Sequence, residues 1–412
     1  MGDVTSTTRT GGHRLGRPGC EVPTGPAAHT LDLVTAEATS PAAQPPTSPL
    51  DVEDLRVRVH KVIDTFLARQ ADVLDGVSPD CAPMVEYVSD LMRGGKRLRP
   101  AFCYWGWRGA GGADDETIVT AAAAMEFFQA AALIHDDVMD DSDTRRGMPA
   151  VHRRFATLHR GSGWTGDGER YGLAGAVLAG DLCLVWSDEL FTSAGLEPLA
   201  YARGRRQFDR MRTELMGGQY LDMLEQAVAG QLPSAHSDDA AHPDAVTRAR
   251  RVIRYKSAKY TIEAPLLIGG ALAGASPELL AAYSAYGLPL GEAFQLRDDV
   301  LGVFGDPGQT GKPAGDDLRE GKRTVLVAKA LETASPAQAN LVRSLLGDPG
   351  LDTHGVEALR EVIVSTGALD AVERLVDDSV AECRAALAAA DVDPVAREVL
   401  EGLVVAATAR AF

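Results

Sequence analysis

The chain has 412 residues, is 45% hydrophobic and carries a formal net charge of -17 at pH 7. A sequence of this length and composition can bury a large core, which indicates a globular protein. The acidic balance argues against nucleic acid or an anionic membrane as the main partner, because both bind basic surfaces.

Residues 1–48 differ in composition from the rest of the chain. They are rich in Thr, Pro, Ala and Gly and show no helical periodicity. Such a segment buries too little apolar surface to offset the entropy cost of ordering it. We therefore predict a disordered N-terminal tail over 1–48 and a folded domain over 49–412.

Helical spacing of apolar residues begins near Val52 and continues along most of the remaining sequence. The predicted helices cover residues 52–74, 81–92, 98–108, 115–141, 173–194, 199–228, 244–270, 277–304, 316–331, 335–346, 355–365 and 367–390. Breaks rich in Gly, Ser and Asp near 160–172 and 229–243 predict surface loops. The sequence shows no alternating strand pattern of useful length. The predicted fold class is therefore all-α, with one large helical domain.

The strongest local pattern is the aspartate motif Asp136-Asp137-x-x-Asp140, at the C-terminal end of the apolar helix predicted over 115–141. Asp136 and Asp140 share one helix face, about 6 Å from each other. Like charges at this spacing destabilise a helix, and acids at its C-terminus oppose the helix dipole. Mg²⁺ commonly binds one or two carboxylates together with phosphate oxygens and water. The pair therefore suits a magnesium site.

A second acidic pair, Asp298-Asp299, lies at the end of another apolar helix. Two such helix ends that face each other across a cavity could hold metal ions between them. Basic residues are clustered beside these acids, namely Lys96-Arg97-Leu98-Arg99, Arg145-Arg146, Lys256 with Lys259, Lys312, and Lys322-Arg323. Arginine grips phosphate through two parallel hydrogen bonds, and lysine supplies a point charge. Together the acidic and basic clusters predict a site for diphosphates.

These motifs, in this order, resemble those of the trans-isoprenyl diphosphate synthases, also called polyprenyl synthetases, and the resemblance covers residues 55–405. It is greatest to bacterial geranylgeranyl and farnesyl diphosphate synthases. The resemblance implies the isoprenoid synthase fold, a homodimer whose subunits are helical bundles around a deep central cavity. It also implies an enzyme that joins an allylic diphosphate to isopentenyl diphosphate, with roughly two to three Mg²⁺ ions in each active site.

The resemblance also assigns roles to individual residues. The implied ligands of isopentenyl diphosphate are Lys96, Arg99, Gln129 and Arg146. The implied ligands of the allylic diphosphate are Arg145, Lys256, Gln295, Lys312 and Lys322. The implied ligands of Mg²⁺ are Asp136, Asp140 and Asp298, and Asp137 is counted with the catalytic residues. Gln219 and Asp222 resemble a polar pair that the family points into its cavity.

The second motif departs from the family pattern D-D-x-x-D, because Gly302 stands at its last position. The next acid along the chain is Asp306, eight residues after Asp298, and we treat it as an optional ligand. Ser257 follows Lys256 where many members carry Thr, so a hydroxyl group is kept at this position.

The expected mechanism follows from charge. Cleavage of the allylic C–O bond creates a delocalised cation and a diphosphate leaving group, so fixed positive charge beside the leaving group lowers the barrier. Isopentenyl diphosphate must be held against the cation, and the released diphosphate is expected to take the final proton. An apolar cavity protects the cation from water. His135 is expected to support Asp136 by packing or by a hydrogen bond, rather than to act as a base.

The product length is predicted from the residues that precede Asp136 on its helix. Ala131 and Ala132 are too small to block a growing chain, whereas Phe127 and Phe128 lie about 12–14 Å deeper at 1.5 Å per residue. An extended isoprene unit spans roughly 5 Å, so this depth admits roughly three or four units. We therefore predict a geranylgeranyl (C20) product, with farnesyl (C15) diphosphate as the alternative.

A class I terpene cyclase is a rival function, because it would share the helical fold and the first aspartate motif. Asn340-Ser344-Asp348 has the spacing of the second metal site of such cyclases. Gly347 and Pro349 predict a surface loop there instead. A cyclase would also not consume isopentenyl diphosphate.

Two further alternatives make the protein something other than an active enzyme. A calcium-binding loop could begin at Asp141, but Arg145 and His152 stand where such a loop requires oxygen ligands. An inactive partner subunit is expected to lose its aspartate motifs, and here they are mostly intact.

The cysteines and the apolar segments predict the cellular setting. The five cysteines are scattered without a C-x-x-C pair, and they are Cys20, Cys81, Cys103, Cys183 and Cys383. This pattern predicts a cytoplasmic protein without disulfides or structural zinc. The N-terminus has no basic segment followed by an apolar run, and no stretch of eighteen uninterrupted apolar residues occurs. We therefore expect neither secretion nor a membrane span.

Overall fold

The computed structural model describes residues 48–228, 244–305, 315–348 and 350–408. Its helices are α1 Leu55–Asp75, α2 Ala82–Arg93, α3 Leu98–Gly109, α4 Glu116–Met139, α5 Val151–Gly161, α6 Gly168–Thr192, α7 Pro198–Ala227, α8 Ala245–Val252, a π-helix Ile253–Glu263, α9 Ala264–Ala273, α10 Pro277–Phe304, α11 Asp316–Arg319, α12 Val325–Thr333, α13 Pro336–Leu345, α14 Thr353–Ser365, α15 Ala368–Ala389 and α16 Pro394–Thr408. Short 3₁₀ helices cover Val52–Asp54 and Pro79–Cys81. The strands within the described ranges are β1 Thr144–Arg145 and β2 Met148–Pro149. The predicted all-α fold class is confirmed.

Helix α4 lies at the centre of the core. It begins where the Asp115 side chain accepts a hydrogen bond from the backbone N–H of Thr117, and it packs most extensively against α6. Among the described helices it is the one long and apolar enough to cross a membrane, and 72% of that apolar stretch is buried inside the protein. The burial of α4 fixes the aspartates at its C-terminal end relative to the surrounding helices.

Helices α8, the π-helix and α9 run without interruption from residue 245 to residue 273. Helix α7 crosses this run at Gly218, where an added Cβ would lie 2.3 Å from the backbone nitrogen of Lys256. Only glycine permits so close an approach of the two backbones. The contact brings Gln219 and Asp222 of α7 to the side of the π-helix that carries Lys256.

A short hairpin follows α4 and turns the chain back over the end of that helix. Strands β1 and β2 are antiparallel, with Thr144 opposite Pro149 and Arg145 opposite Met148. The two residues of the turn, Arg146 and Gly147, have φ of 55° and 74°. Positive φ at both positions is the requirement of a type I′ turn. The hairpin thereby places Arg145 beside the aspartates of α4.

Several predicted helix boundaries were wrong. Helices α5 and α16 were not predicted. Helix α6 begins inside the loop predicted over 160–172, because the Asp167 side chain accepts hydrogen bonds from the backbone N–H groups of Glu169 and Arg170. The helix predicted over 316–331 is two helices, α11 and α12. The helix predicted over 335–346 is confirmed as α13, so Asn340 and Ser344 lie on this helix and not in the surface loop predicted at its end.

Two predicted segments lie outside the described residues. The tail predicted over 1–48 does so except for Ser48, and the loop predicted over 229–243 does so completely.

Candidate active site

A cavity of about 920 Å³ lies where α4, α7, the π-helix, α10 and the α2–α3 loop meet. Most of the residues singled out in the sequence line it, and they are Lys96, Arg99, Gln129, Asp136, Arg145, Arg146, Gln219, Asp222, Lys256, Ser257, Gln295, Asp298, Asp299, Lys322 and Arg323. Lys312 and Asp306 lie outside the described residues. The structure thus brings together in one cavity residues that are more than two hundred positions apart in sequence.

Asp136 is held in its ionised form. Its Oδ1 atom lies 3.0 Å from Lys256 Nζ and 3.0 Å from Gln219 Nε2, and both groups donate hydrogen bonds to it. Burial alone would raise the pKa of Asp136, but the nearby positive charges of Lys256, Lys322 and Arg145 outweigh burial and hold this pKa well below its usual range. Asp136 therefore offers a charged carboxylate to the cavity.

Asp140, one turn further along, has the opposite electrostatic character. Its side chain is 4% exposed, and its nearest recorded cation is Lys322 Nζ at 3.4 Å. Burial, and then the negative charge of Asp136, raise the pKa of Asp140 to about 6. Its Oδ2 atom is buried and accepts no hydrogen bond within the described part of the chain. This oxygen is suited to a ligand that brings positive charge.

Asp137 faces away from these two aspartates and towards the hairpin. Arg145 Nε donates to its Oδ1 at 2.8 Å, Arg145 Nη2 donates to the same oxygen, and Arg145 Nη2 also lies 3.4 Å from Asp136 Oδ2. The Asp137 side chain is almost fully buried. These two hydrogen bonds indicate that Asp137 orients the Arg145 guanidinium.

Two half-buried lysines supply positive charge between the helices. Lys256 Nζ lies 2.6 Å from Asp222 Oδ2 as well as 3.0 Å from Asp136. Burial lowers the pKa of Lys256, but Asp136 and Asp222 raise it more, so that it lies above its ordinary value. Lys322 Nζ lies 2.7 Å from Glu320 and 3.7 Å from Asp317. Both ammonium groups are therefore charged at neutral pH.

An arginine-rich corner forms the other end of the cavity. The Arg99 guanidinium lies 4.1 Å from the centre of the Tyr260 ring, and its Nη2 donates to Thr261 Oγ1 at 2.8 Å. Arg146 Nη1 donates to the carbonyl oxygens of Leu91 at 2.6 Å and Gly94 at 3.0 Å. Arg146 thus caps the end of α2 while it lines the cavity.

Two polar atoms in this corner have no hydrogen-bond partner within the described ranges. They are Arg99 Nε and Gln129 Oε1, and both are buried. Buried polar atoms are normally paired, so these atoms indicate a place for a polar ligand.

Both aspartates of the second motif line the cavity, but they differ in burial. Asp299 is 6% exposed, and its Oδ1 accepts a hydrogen bond of 2.8 Å from Gln295 Nε2. Burial raises the pKa of Asp299 well above its usual range. Asp298 is half-buried and lines the cavity, which suits the predicted metal ligand.

The sequence analysis missed a buried ion pair in the cavity wall. Arg97 Nη1 binds Glu126 Oε2, both side chains are 5% exposed, and both residues line the cavity. Arg97 also donates to the carbonyl oxygen of Met92 at the end of α2. The available signal was Glu126 itself, which is the one charged residue between Thr117 and Ile134 in an otherwise apolar helix.

Lys259, grouped above with Lys256, does not line the cavity. Its Nζ atom lies 2.9 Å from Glu214 and 3.6 Å from Glu263, on the side that faces α7. Lys259 is therefore part of an ion-pair network between packed helices. Of the two lysines, only Lys256 belongs to the basic cluster inside the cavity.

The other singled-out residues also have structural partners. His135 Nε2 lies 3.3 Å from the carbonyl oxygen of Val177, so its ring packs against α6 and no hydrogen bond to Asp136 is recorded. Asp141 and Asp143, the start of the rejected calcium loop, form ion pairs with Arg153 at 2.9 and 2.8 Å.

The donor set fits a magnesium ion that is shared with substrate. Among the described residues, no group of three or more His, Cys, Asp or Glu side chains is placed to hold a metal ion. Mg²⁺ is usually held by one or two carboxylates plus substrate phosphates and water. The charged carboxylate of Asp136 and the Oδ2 of Asp140, which accepts no hydrogen bond within the described ranges, provide such a pair.

Comparison with known proteins identifies the family. The polyprenyl synthetase family model matches residues 81–363. A geranylfarnesyl diphosphate synthase of Aeropyrum pernix is 30% identical over 318 residues, which cover 76% of this chain and 86% of the relative. The octaprenyl diphosphate synthase of Escherichia coli is 31% identical over 294 residues, which cover 71% of this chain and 80% of the relative.

A solved structure supports the same assignment. The crystal structure of a geranylgeranyl pyrophosphate synthase from Corynebacterium glutamicum, complexed with isoprenyl diphosphate and magnesium, is 39% identical with a TM-score of 0.81. The alignment covers 88% of this chain and 100% of that chain. With a family model, two relatives and a solved structure in agreement, the chain belongs to the polyprenyl synthetase family and is a trans-prenyltransferase that makes prenyl diphosphates.

Proposed function

We propose that this chain condenses an allylic diphosphate with isopentenyl diphosphate, in a Mg²⁺-dependent reaction, to give linear all-trans geranylgeranyl diphosphate. The observation that carries the proposal is the separation of charge in the cavity. Carboxylates and lysines meet at one end, around Asp136. At the other end Arg97 is paired with Glu126, whereas Arg99 and Arg146 donate to a hydroxyl group and to backbone carbonyl oxygens. The two ends suit two different diphosphates.

The allylic diphosphate is assigned to the end with the aspartates. Arg145 is held by Asp137, and Lys256 and Lys322 are half-buried, charged and held in ion pairs, so their positive charges are fixed before substrate arrives. Fixed charge of this kind stabilises the leaving diphosphate without reorganisation during bond cleavage. Mg²⁺ held by Asp136, Asp140 and Asp298 would add positive charge beside the same diphosphate oxygens. Gln295 and Lys312 are assigned to this side by the family resemblance.

Isopentenyl diphosphate is assigned to the arginine corner. Lys96, Arg99 and Arg146 supply the positive charge, and the unbonded Arg99 Nε is a donor for a phosphate oxygen. Gln129 lies on α4 seven residues before Asp136 and lines the same cavity, and the family resemblance assigns it to this substrate. The proton lost after bond formation passes to the released diphosphate, and no side-chain base is required.

The test is condensation by the purified full-length protein. We expect consumption of isopentenyl diphosphate with dimethylallyl, geranyl or farnesyl diphosphate as primer, detected by mass spectrometry of the products. EDTA should stop the reaction and added Mg²⁺ should restore it. Asp136→Ala should abolish turnover with the fold retained, whereas Asp378→Asn, an exposed residue on α15, should not change it. A protein that cyclises prenyl diphosphates without consuming isopentenyl diphosphate would contradict the proposal.

The C20 product is part of the proposal, because the named relatives make products of several lengths. Ala132 lines the cavity, whereas the Phe127 and Phe128 side chains lie outside its lining. The Phe128 ring packs against Tyr260 at 6.1 Å, and the Phe127 ring packs against Phe66 at 4.9 Å. Aromatic packing at this depth supports a closed floor behind the alanines.

Product length can be tested directly by two substitutions. Ala131→Phe should shorten the product and Phe128→Ala should lengthen it, as measured by gas chromatography of the alcohols after hydrolysis. An unchanged product length in both variants would contradict this location of the floor.

We also propose a cytoplasmic homodimer. Helix α6 exposes apolar side chains, with Leu178 56% exposed and Val185 62% exposed, and a second copy of this chain would cover them. Cys81, Cys103, Cys183 and Cys383 are free thiols, which supports a reducing compartment.

A further inference from the structure

The second aspartate motif lacks its last carboxylate, and the structure has another carboxylate in the corresponding space. Residues 298 and 302 are one turn apart in α10, so an acid at 302 would lie on the same helix face as Asp298. A Cβ added at Gly302 would lie 2.0 Å from Asp317 Oδ2 and 2.8 Å from Asp317 Cγ. The Asp317 carboxylate therefore occupies the position of a side chain at residue 302.

Backbone contacts hold Asp317 in this position. The N–H of Gly315 donates to the carbonyl oxygen of Gly302 at 3.2 Å, and the N–H of Lys322 donates to the carbonyl oxygen of Asp317 at 3.0 Å. Gly315 has φ of 76°, which directs the chain into α11 directly beside the end of α10. The start of α11 is thus fixed to α10 at the residue where the motif departs from the family pattern.

Asp317 also shares its surroundings with the first aspartate motif. Lys322 Nζ lies 3.7 Å from Asp317 Oδ1 and 3.4 Å from Asp140 Oδ2, so a single cation contacts both carboxylates. Asp298, Gly302 and Asp317 all line the cavity. Asp140 Oδ2, which accepts no hydrogen bond within the described ranges, is nine-tenths or more buried in the same cluster.

We propose that Asp317 supplies the carboxylate that the second motif lacks at residue 302, and that it binds Mg²⁺ beside Asp298. This inference rests on the proposed Mg²⁺-dependent function. According to this inference the missing ligand is Asp317 and not Asp306, the next acid in sequence. Asp317 is further along the chain, but the fold places its carboxylate beside Gly302.

Metal binding can be measured without turnover. The full-length protein is titrated with Mn²⁺ in the presence of inorganic diphosphate, and free Mn²⁺ is followed by electron paramagnetic resonance. Asp317→Asn should weaken Mn²⁺ binding about tenfold or more. Glu320→Gln is the matched control, because Glu320 also contacts Lys322, at 2.7 Å, but does not line the cavity. Equal weakening in both variants would overturn the inference, since the effect would then act through Lys322.

Moving the carboxylate gives a second and independent test. Gly302→Asp combined with Asp317→Ala, which leaves room for the new side chain, should restore at least part of the Mn²⁺ affinity that Asp317→Ala alone loses. Gly302→Ala keeps every charge but displaces the Asp317 carboxylate, so it should also weaken binding, even if Asp317→Asn does not fold. Wild-type affinity in Gly302→Ala, or no recovery in a folded double variant, would overturn the inference.

Two outcomes separate this inference from the proposed function. Weak binding in Asp306→Asn together with wild-type binding in Asp317→Asn would show that the missing ligand is Asp306 and overturn only the role of Asp317. A wild-type protein that binds no Mn²⁺ with diphosphate and consumes no isopentenyl diphosphate would overturn the proposed function itself.

Discussion

Asp140 makes the stability of the metal-free protein dependent on pH. Its pKa of about 6 lies above the ordinary value of 3.8, because the folded protein buries the carboxyl group beside Asp136. A carboxyl group whose pKa is raised in the folded state binds its proton more tightly there than in the unfolded chain. Its contribution to stability is therefore fully present below pH 3.8 and is lost as the pH rises through 6.

Replacement of Asp140 by Asn should remove this loss. In EDTA, we expect Asp140→Asn to exceed the wild type in free energy of unfolding by about 1–3 kcal/mol at pH 7.5, and by much less near pH 4. Urea unfolding at a series of pH values measures the difference. A constant difference across this range would show that Asp140 has an ordinary pKa.

Residues in the two halves of the cavity should affect the two substrates differently. Lys96→Ala and Arg99→Ala should raise KM for isopentenyl diphosphate more than KM for the allylic substrate, and Arg145→Ala should do the reverse. Each truncation leaves a phosphate oxygen without a charged partner, which costs roughly 1.5–3 kcal/mol. Steady-state kinetics with each substrate varied in turn provide the measurement. Arg153→Ala, which removes an arginine outside the cavity lining, is the control.

Most of the residues singled out in the sequence line the cavity, but the motifs did not predict how these residues pair, and they missed Glu126 and Asp317. Lys259 was misplaced because residues three apart share a face in an α-helix, whereas the i→i+5 bonding of the π-helix turns Lys256 and Lys259 apart. Asp317 could not be found by counting along the chain, since only the contact between Gly315 and Gly302 brings it to α10. These relations depend on tertiary structure.

At the scale of elements, the Arg97–Glu126 ion pair joins three helices. Arg97 begins α3 with φ of 59°, binds the carbonyl oxygen of Met92 at the end of α2, and pairs with Glu126 inside α4. The pair therefore fixes the α2–α3 loop, which carries Lys96, against the helix that carries Asp136.

Removal of only Glu126 should lower the free energy of unfolding more than removal of both Arg97 and Glu126. Glu126→Leu leaves a buried guanidinium without its carboxylate, and we expect a loss of about 3–5 kcal/mol in the free energy of unfolding. The double variant Arg97→Met with Glu126→Leu should lose less, because no charge is left buried. Denaturant unfolding of both variants and of Arg97→Met completes the cycle. Additive losses would contradict a direct interaction between the two side chains.

Long apolar helices were predicted well, whereas two shorter amphipathic helices, α5 and α16, were missed. The bounds predicted for α10 agree with the structure, because its apolar residues continue to a glycine stop at Gly305. Helix α5 has few apolar residues, and it is stabilised mainly by packing against α6, which no local pattern reports. Helix α16 follows Asp393-Pro394, a helix-start signal that was available in the sequence but not used.

At the scale of the whole molecule, the exposed apolar face of α6 predicts the assembly state. Leu178→Glu places a charge in the proposed dimer interface, so sedimentation should show a monomer where the wild type is a dimer. Val57→Glu is the control, because Val57 is 68% exposed on a different helix, α1. The Val57→Glu variant should remain dimeric. A wild-type monomer at working concentration, or a dimeric Leu178→Glu variant, would contradict an interface on α6.

The burial of α4 also has a consequence for biosynthesis. This helix is apolar enough to cross a membrane, yet it leaves the ribosome before α6, the helix that covers most of it, has been made. A nascent chain at this stage exposes a long apolar segment, which is prone to aggregate or to bind chaperones. Fragments that end between α4 and α6 should therefore be recovered in the insoluble fraction. Fragments that extend through α9 contain most of the helices that pack against α4, so they should be recovered in the soluble fraction.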